Sequence, residues 1–239
     1  MRVVSFSETG CVRKNNEDSL LILPQYGLYA VADGMGGHLA GEVAARTALQ
    51  VLAEAASELE NLEGDAVLDW VKQALIQANS RVFEASTVNP ANEGMGTTLT
   101  ALVFKADQAV IAHVGDSRGY LWREGKLIPL TVDHSLVEEL VRMGQISPEE
   151  AEKHPQRHVL IRAVGASQEV KVDSGCMGCQ KGDFFLLCTD GFSNVISEEE
   201  LIRELSQEGS WEEHFERMRQ LILDRGAPDN FTALGCLME

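Results

Sequence analysis

The chain has 239 residues, with 37 acidic against 20 basic side chains and a formal net charge of −17 at pH 7. An apolar content of 44% is typical of a globular protein with a sizeable core and excludes general disorder. Since the longest apolar runs have five residues, no membrane-spanning helix is expected, and the negative charge argues against nucleic acid or an anionic membrane as the main partner.

The predicted elements are short apolar strands and longer amphipathic helices. Strands are predicted, in chain order, at residues 20–23, 28–32, 97–104, 109–114, 119–123, 184–188 and 231–237. Helices are predicted at residues 41–60 and 64–86, from the Ser197 cap onward, and at residues 211–225. Residues 105–108 and 123–126 look like hairpin connections, which favours an α+β class with antiparallel sheets covered by helices over a βαβ repeat.

Residues 1–239 are expected to form a single domain, since no linker, low-complexity tract or repeat interrupts them. The N-terminus has no apolar leader, which favours a cytoplasmic protein. Residues 131–165 differ from the rest because they are rich in charge and carry three of the six histidines, His134, His154 and His158. We expect a helical excursion or a flap there.

The five cysteines are an odd number, and reduced thiols are the simplest interpretation. Cys176 and Cys179 form a lone Cys-x-x-Cys pair, with no second Cys or His pair at zinc spacing. Ordinary reduced cysteines are therefore expected, and a structural zinc site is the alternative.

Two apolar runs lead directly into an Asp-Gly pair, Asp33-Gly34 and Asp190-Gly191. A buried strand delivers its last carboxylate to a fixed point, and the following glycine lets the backbone turn at once with its carbonyl exposed. One such pair alone is typical of a plain turn. Two of them favour a functional site.

Four further acidic residues flank predicted strands. Glu17 and Asp18 precede the first strand, Asp116 follows the strand at 109–114, and Asp229 precedes the last strand. Unpaired carboxylates crowded at the edge of a core repel each other and are rarely kept without a cation. Carboxylates with a backbone carbonyl and water form an all-oxygen ligand set, which suits Mg²⁺ or Mn²⁺ better than zinc.

Six motifs, in this order along the chain, resemble the metal-dependent protein phosphatase family, the type 2C protein serine/threonine phosphatases, in its compact bacterial branch. They are Arg13-Lys-Asn-Asn-Glu-Asp18, Val31-Ala-Asp-Gly-Met-Gly-Gly37, Gly96-Thr-Thr-Leu99, Val114-Gly-Asp-Ser-Arg118, Cys188-Thr-Asp-Gly-Phe192 and Asp229-Asn230. The resemblance spans residues 13–230 and implies a four-layer αββα sandwich of two antiparallel sheets flanked by helices.

The resemblance also implies a metal site between the two sheets. Asp33 would bridge two ions, with the carbonyl of Gly34 completing one ion's ligands and Asp190 and Asp229 completing those of the other.

Further residues at motif positions would serve the same site. Glu17 and Asp18 match acids that bind or orient metal-bound waters, and Asp116 matches the aspartate at which bacterial members bind a third, weaker metal. Residues 134–164 would form the flap beside the channel.

The implied reaction is hydrolysis of phosphoserine and phosphothreonine in proteins by a hydroxide that bridges two Mg²⁺ or Mn²⁺ ions. Arg13 is the candidate phosphate clamp, because its planar guanidinium can bind two phosphate oxygens; the alternative is a surface ion pair with Glu17. Many members of the family carry His directly after Asp-Gly as a candidate general acid, whereas this chain has Met35. His38 is the candidate for protonating the leaving group, and a water near Asp116 is the alternative.

Several polar residues near these motifs are expected to support the site. Thr97 and Thr98 should pack and hydrogen-bond beneath it, and Asn230 should orient the preceding aspartate or cap its turn. Ser117 and Ser193 do not lie in a G-x-S-x-G motif and are interpreted as turn residues, not nucleophiles.

Three other functions are weighed against the phosphatase. A non-catalytic module of the same fold would lack metal aspartates, phosphoesterases for small metabolites usually add histidine ligands, and a calcium-binding structural protein would show EF-hand spacing. The motifs here keep every expected metal aspartate, have no histidine at a motif position and show no EF-hand spacing. By resemblance, the partners are phosphorylated proteins and a serine/threonine kinase that the enzyme opposes, with no nucleic acid or membrane, and the chain is expected to be a monomer.

Overall fold

The structure, a computed structural model, describes residues 1–36 and 40–239. Its strands are β1 Arg2–Glu8, β2 Asp18–Leu23, β3 Leu28–Met35, β4 Gly96–Thr97, β5 Leu99–Lys105, β6 Gln108–Val114, β7 Arg118–Arg123, β8 Lys126–Pro129, β9 Asp173–Gly178, β10 Phe184–Cys188 and β11 Phe231–Leu237. Its α-helices are α1 Ala40–Ala55, α2 Asp65–Val88, α3 Leu136–Arg142, α4 Pro148–Glu152, α5 Asp190–Ser193, α6 Glu198–Leu205 and α7 Trp211–Asp224. Short 3-10 helices cover Pro24–Tyr26, Ala56–Asn61 and Pro90–Asn92.

The strands form two sheets in which the neighbours pair antiparallel. The first sheet has the order β1-β11-β10-β7-β8, and the second has the order β2-β3-β5-β6-β9, with β4 paired to β3. The β5–β6 and β7–β8 pairs are the two predicted hairpins. Their turns use left-handed backbone at Ala106 in one and at Glu124 and Gly125 in the other.

Side chains of each sheet alternate between two apolar cores, since successive residues of a strand point to opposite faces. Ala30 of β3 packs with residues of α1 and α2, whereas its neighbour Tyr29 packs between the sheets. Leu186 of β10 packs with residues of α6 and α7, whereas Leu187 packs between the sheets. The layers are therefore α1–α2, the second sheet, the first sheet and α6–α7, which confirms the predicted αββα sandwich.

Several predicted element boundaries differ from the structure. The first helix ends at Ala55 and gives way to the 3-10 helix Ala56–Asn61, and the strand predicted at 97–104 is divided at Thr98 into β4 and β5. Strands β1, β8 and β9 were not predicted, and each is an edge strand of its sheet. An edge strand is only partly buried, so its sequence lacks the continuous apolar run that marked the central strands.

Residues 131–165 contain two helices, α3 and α4, as expected for a helical excursion. The two ends of this segment pair with each other at Ser135 and Leu160, and Val164 pairs with Thr97 of β4. The base of the flap is thus tied to the second sheet. No helix among the described residues is long and apolar enough to cross a bilayer.

Candidate metal centre

A cleft of about 560 Å³ is lined by polar residues from both sheets. The residues predicted for the site that line it are Arg13, Glu17, Asp33, Gly34, Asp116, Asp190 and Asp229. Asp18 is only 5% exposed and starts β2 directly opposite Asp33 of β3. His38 lies outside the described residues. Side chains far apart in sequence therefore converge in one cleft.

The backbone does not turn after Asp33, contrary to the prediction for this Asp-Gly pair. Strand β3 continues to Met35, and Gly34 pairs with Thr97 of β4. The glycine is needed for a different reason, because a Cβ at position 34 would lie 2.1 Å from the carbonyl oxygen of Gly41 in α1. Gly34 therefore lets the start of α1 approach the strand that carries Asp33.

The second Asp-Gly pair is also not a simple turn. Asp190 is the first residue of the one-turn helix α5, and Thr189 is its N-cap. A Cβ at Gly191 would lie 1.9 Å from the carbonyl oxygen of Asn230. The glycine thus allows α5 to pack directly against the loop that carries Asp229.

Asp18 is the most deeply buried acid of the group. Its Oδ2 accepts a 2.8 Å hydrogen bond from the Thr189 hydroxyl, which in turn accepts one of 2.9 Å from the backbone N–H of Thr232. Its Oδ1 is buried and has no hydrogen-bond partner among the described residues. An unpaired buried carboxylate oxygen is costly, and a cation or a water held by a cation would satisfy it.

The carboxyl groups shift one another's titration. Burial, followed by the charge of neighbouring acids, raises the pKa of Asp33 well above its ordinary value and that of Asp116 to about 7. Burial also raises the pKa of Asp18 to about 7 and raises that of Asp190. When ionised, these groups repel each other, and a divalent cation would offset the repulsion. The all-oxygen set fits Mg²⁺ or Mn²⁺.

Hydroxyl groups hold the backbone of Asp33 from below. The Thr97 hydroxyl donates to the Asp33 carbonyl at 2.9 Å, and the Asp33 N–H donates to the Thr98 hydroxyl at 2.9 Å. The Thr98 hydroxyl can then give its own hydrogen to Ser117 Oγ, 2.7 Å away. These contacts match the predicted supporting role of the two threonines. Ser117 is 1% exposed, which agrees with a structural residue.

Asn230 does more than the sequence suggested. Its side-chain amide donates to the backbone carbonyls of Thr9 and Asn15, at 2.8 and 2.9 Å, and its Oδ1 accepts from the N–H of Glu17 at 2.9 Å. Only its backbone N–H contacts Asp229, at 2.8 Å to Oδ1. The Asn230 side chain therefore fixes the segment that carries Glu17, whereas the expectation was that it orients Asp229 or caps its turn.

Arg13 forms an ion pair with Asp229, with Nη2 2.8 Å from Oδ2, and not the alternative surface pair with Glu17. The hydrogen bond to Asp229 is the main reason that the pKa of Arg13 is raised. The guanidinium is half exposed at the cleft, where it can reach an incoming anion. His158 and Arg162 of the flap also line the cleft, and sequence reasoning did not assign them a role. The basic residues and histidines clustered at residues 153–162, in the second half of the flap, were the available signal.

The sequence of residues 12–233 matches the protein phosphatase 2C family. The serine/threonine protein phosphatase PstP of Mycobacterium tuberculosis is 40% identical over 98% of this chain, which spans 44% of that protein's length. The serine/threonine phosphatase stp of Listeria welshimeri is 37% identical over 95% of this chain and 92% of its own length.

A solved structure of the catalytic domain of PstP in complex with two manganese ions has a TM-score of 0.87 and 37% identity, covering 100% of this chain and 98% of that one. The fold is a two-sheet sandwich with an acidic cleft, as in the phosphatase structure matched. The chain belongs to the protein phosphatase 2C family.

Proposed function

We propose that this protein is a Mg²⁺- or Mn²⁺-dependent phosphatase that hydrolyses phosphoserine and phosphothreonine in proteins. The observation that carries the proposal is the convergence on one cleft of Asp33 from β3, Asp190 from α5 and Asp229 from the loop before β11. The unpaired buried oxygen of Asp18 beside them supports it. The family and the names of the relatives point to the same reaction.

The ligands would be those that the family motif assigns. Asp33 would contact two ions, Gly34 would contribute its carbonyl to one, and Asp190 and Asp229 would bind the other. When bound, divalent ions would offset the charge of the phosphate and lower the pKa of the attacking water. The PstP catalytic domain has been solved in complex with two manganese ions, which supports two ions in this cleft.

Outer residues would complete the site. Glu17 would hold waters at its rim, Asp18 would do so from beneath, and Asp116 would bind a third, weaker ion. Asp116 lines the same cleft as Asp33 and Asp190, and burial, followed by the charges of Asp190 and Asp133, raises its pKa to about 7. The pKa shift also means that this carboxylate binds a proton readily when no cation is near.

Arg13 would bind the phosphate group of the substrate. In the structure its guanidinium neutralises Asp229, so it already lies beside a proposed ligand. A guanidinium fork can hold two phosphate oxygens and orient them for in-line attack. His38 is the proposed proton donor to the leaving group.

The substrates would be phosphorylated proteins, and a serine/threonine kinase would be the opposing enzyme. Names of the relatives support the substrate class. The acidic remainder of the surface would disfavour nucleic acid. We propose that the chain acts as a monomer and as one domain.

The test is hydrolysis of a phosphothreonine peptide with Mn²⁺, with and without a chelator, in the wild type, Asp33→Ala and Asp190→Asn. We expect turnover to require Mn²⁺ and to be lost in both variants. Asp107→Asn is the matched control, because Asp107 is exposed in the β5–β6 hairpin. Activity that survives chelation and Asp190→Asn would contradict the proposal, and faster turnover of sugar or nucleotide phosphates would point to a metabolite phosphatase.

A further inference from the structure

The turn that carries Asp116 connects β6 to β7 and depends on Gly115. Gly115 has a left-handed backbone with φ +112°, and a Cβ there would lie 2.6 Å from the Thr98 side chain. A turn of this kind needs fixed partners if the carboxylate that follows is to occupy one position.

His134, at the base of the flap, supplies two of these partners. Its backbone N–H donates to the Gly115 carbonyl at 2.9 Å, and its Nδ1 accepts from the Gly115 N–H at 3.1 Å. A ring nitrogen that accepts a hydrogen bond carries no proton, so the proton of the neutral ring lies on Nε2. Nε2 is 3.2 Å from Oδ2 of Asp173, to which it donates.

The far end of this chain of contacts is fixed by charge. Asp173 accepts two hydrogen bonds from the Arg162 guanidinium, at 2.8 and 3.3 Å. His134 itself is 1% exposed, and burial, followed by the charge of Arg162, lowers the pKa of its ring. The ring therefore stays neutral, in the tautomer that the Gly115 amide requires.

Asp133, the residue before His134, fixes the other side of the turn. Arg118 donates to both carboxylate oxygens of Asp133, with Nη2 2.7 Å from Oδ2. Asp133 and His134 thus bracket the turn at Arg118 and at Gly115, with Asp116 between the two anchors.

The same cluster could be interpreted as a metal site, since ligand atoms of His113, His134 and Asp173 lie within 4.8 Å of one another. Two observations argue against this. The two imidazoles stack with ring centroids 4.4 Å apart and an interplanar angle of 24°, whereas lone pairs lie in the ring planes and would not meet at one ion. Arg162 already neutralises Asp173. A chain of hydrogen bonds explains the placement of His134 and Asp173 better, and His113 packs against it by stacking on the His134 ring.

We propose that His134 is a positioning residue that fixes the Asp116 turn through its unprotonated Nδ1, and so sets the affinity of the weakest-bound ion. The inference rests on the proposed function for the role of Asp116 as a ligand. The tautomer and the protection of the Gly115 amide do not depend on catalysis.

The two bonds of the ring can be separated by substitution. The Oδ1 of Asn occupies roughly the place of His Nδ1, and the Nε2 of Gln roughly that of His Nε2. His134→Asn should keep the acceptor for Gly115, whereas His134→Gln should keep the donor to Asp173 and lose that acceptor. Both variants replace the same buried ring, so each is the other's control for lost packing.

The measurements are Mn²⁺ binding isotherms and hydrogen exchange of the Gly115 amide in the full chain. Loss of a buried acceptor should speed exchange about tenfold in His134→Gln and weaken the last Mn²⁺ to bind by about three- to tenfold. His134→Asn should stay within about twofold of the wild type on both readouts. Equal effects in the two variants would overturn the proposal, since they would show a packing role only.

A measurement on the wild type covers the case in which neither variant folds. The ¹⁵N chemical shifts of the His134 ring should show an unprotonated Nδ1 and a protonated Nε2. A protonated Nδ1 would overturn the proposal. If phosphopeptide turnover is absent in the wild type but the amide exchange follows the expected order, the proposed function fails and the hydrogen-bond assignment stands.

Discussion

The Thr189 hydroxyl donates to Oδ2 of Asp18 across the two sheets, at a distance of 2.8 Å. Thr189 follows β10 of the first sheet, and Asp18 begins β2 of the second. Thr189→Val keeps the shape but leaves a buried carboxylate without that donor, so we expect a loss of about 1–3 kcal/mol in the free energy of unfolding. Urea denaturation in EDTA measures it. Thr189→Ser keeps the hydroxyl, so its free energy of unfolding should decrease clearly less. Equal decreases in the two variants would contradict a stabilising role of the hydrogen bond to Asp18.

The raised carboxyl pKa values predict how stability without metal depends on pH. Asp18 and Asp116 each have a pKa of about 7 when folded, against about 3.9 for an unfolded aspartate. The folded state therefore binds more protons between these values, and the stability that this gives is lost as pH rises through about 7. The pKa values of Asp33 and Asp190 are also raised, so these groups add to the same trend.

A buried histidine opposes this trend at lower pH. Burial lowers the pKa of His113 to about 3. Below about pH 6.5 this histidine therefore binds a proton in the unfolded chain but not in the folded one, which lowers stability. In EDTA we expect the Tm to rise from about pH 8 to about pH 6.5 and to rise less steeply below that, because one histidine opposes several carboxyl groups. With Mn²⁺ the rise should vanish, because protons compete with the ion. Calorimetry between about pH 8 and about pH 6.5 is the check. A Tm that decreases in EDTA as the pH is lowered over this range would contradict the raised carboxyl pKa values.

The central strands and the helices could be predicted because burial marks them in the sequence, as continuous apolar runs in the strands and as helical periodicity in the helices. The β3 and β10 runs are buried on both faces, and Ser197 forms the predicted capping box with Glu200 at the start of α6. The edge strands β1, β8 and β9 leave no such trace, since their side chains are only partly buried.

The acids of the site and the supporting threonines could also be predicted, but not the contacts made by Asn230 and His134. Asn230 binds the carbonyl of Asn15, 215 residues away in sequence, and His134 binds Gly115 through a turn that only the fold brings near. Such contacts depend on tertiary arrangement and have no local pattern. The prediction of a turn directly after Asp33 was wrong for a related reason, because Gly34 serves the close approach of another backbone.

Close packing at Gly191 predicts a strong effect of one added methyl group. In Gly191→Ala the Cβ would lie 1.9 Å from the Asn230 carbonyl, which must move together with the loop carrying Asp229. We expect a loss of about 1–3 kcal/mol in urea denaturation, together with weaker Mn²⁺ binding. Gly175→Ala is the control, since nothing lies within 4 Å of its Cβ on edge strand β9. Similar stability of the two variants would rule out this packing argument.

The Cys-x-x-Cys pair is expected to have no role in the reaction. Cys176 is exposed and Cys179 half buried on or next to the edge strand β9, and burial raises the pKa of Cys179 to about 11, which disfavours a reactive thiolate. Cys176→Ser should leave phosphopeptide turnover and bound metal within about twofold of the wild type. A large loss of either would revive the zinc or redox interpretation.

Arg13 offers a separation between stability and catalysis. Its ion pair with Asp229 joins side chains that are 54% and 37% exposed, and pairs of this kind contribute at most about 1 kcal/mol to folding. A charged hydrogen bond to a bound phosphate is stronger, so Arg13→Ala should lower kcat/KM for a phosphopeptide by about 10- to 100-fold while urea stability changes little. Arg13→Lys should recover only part of this activity, because an ammonium group cannot form the two-pronged contact.

The exposed neighbour Lys14, changed to Ala, controls for loss of positive charge near the cleft. If Lys14→Ala and Arg13→Ala lower kcat/KM equally, Arg13 acts through general charge and does not clamp the phosphate.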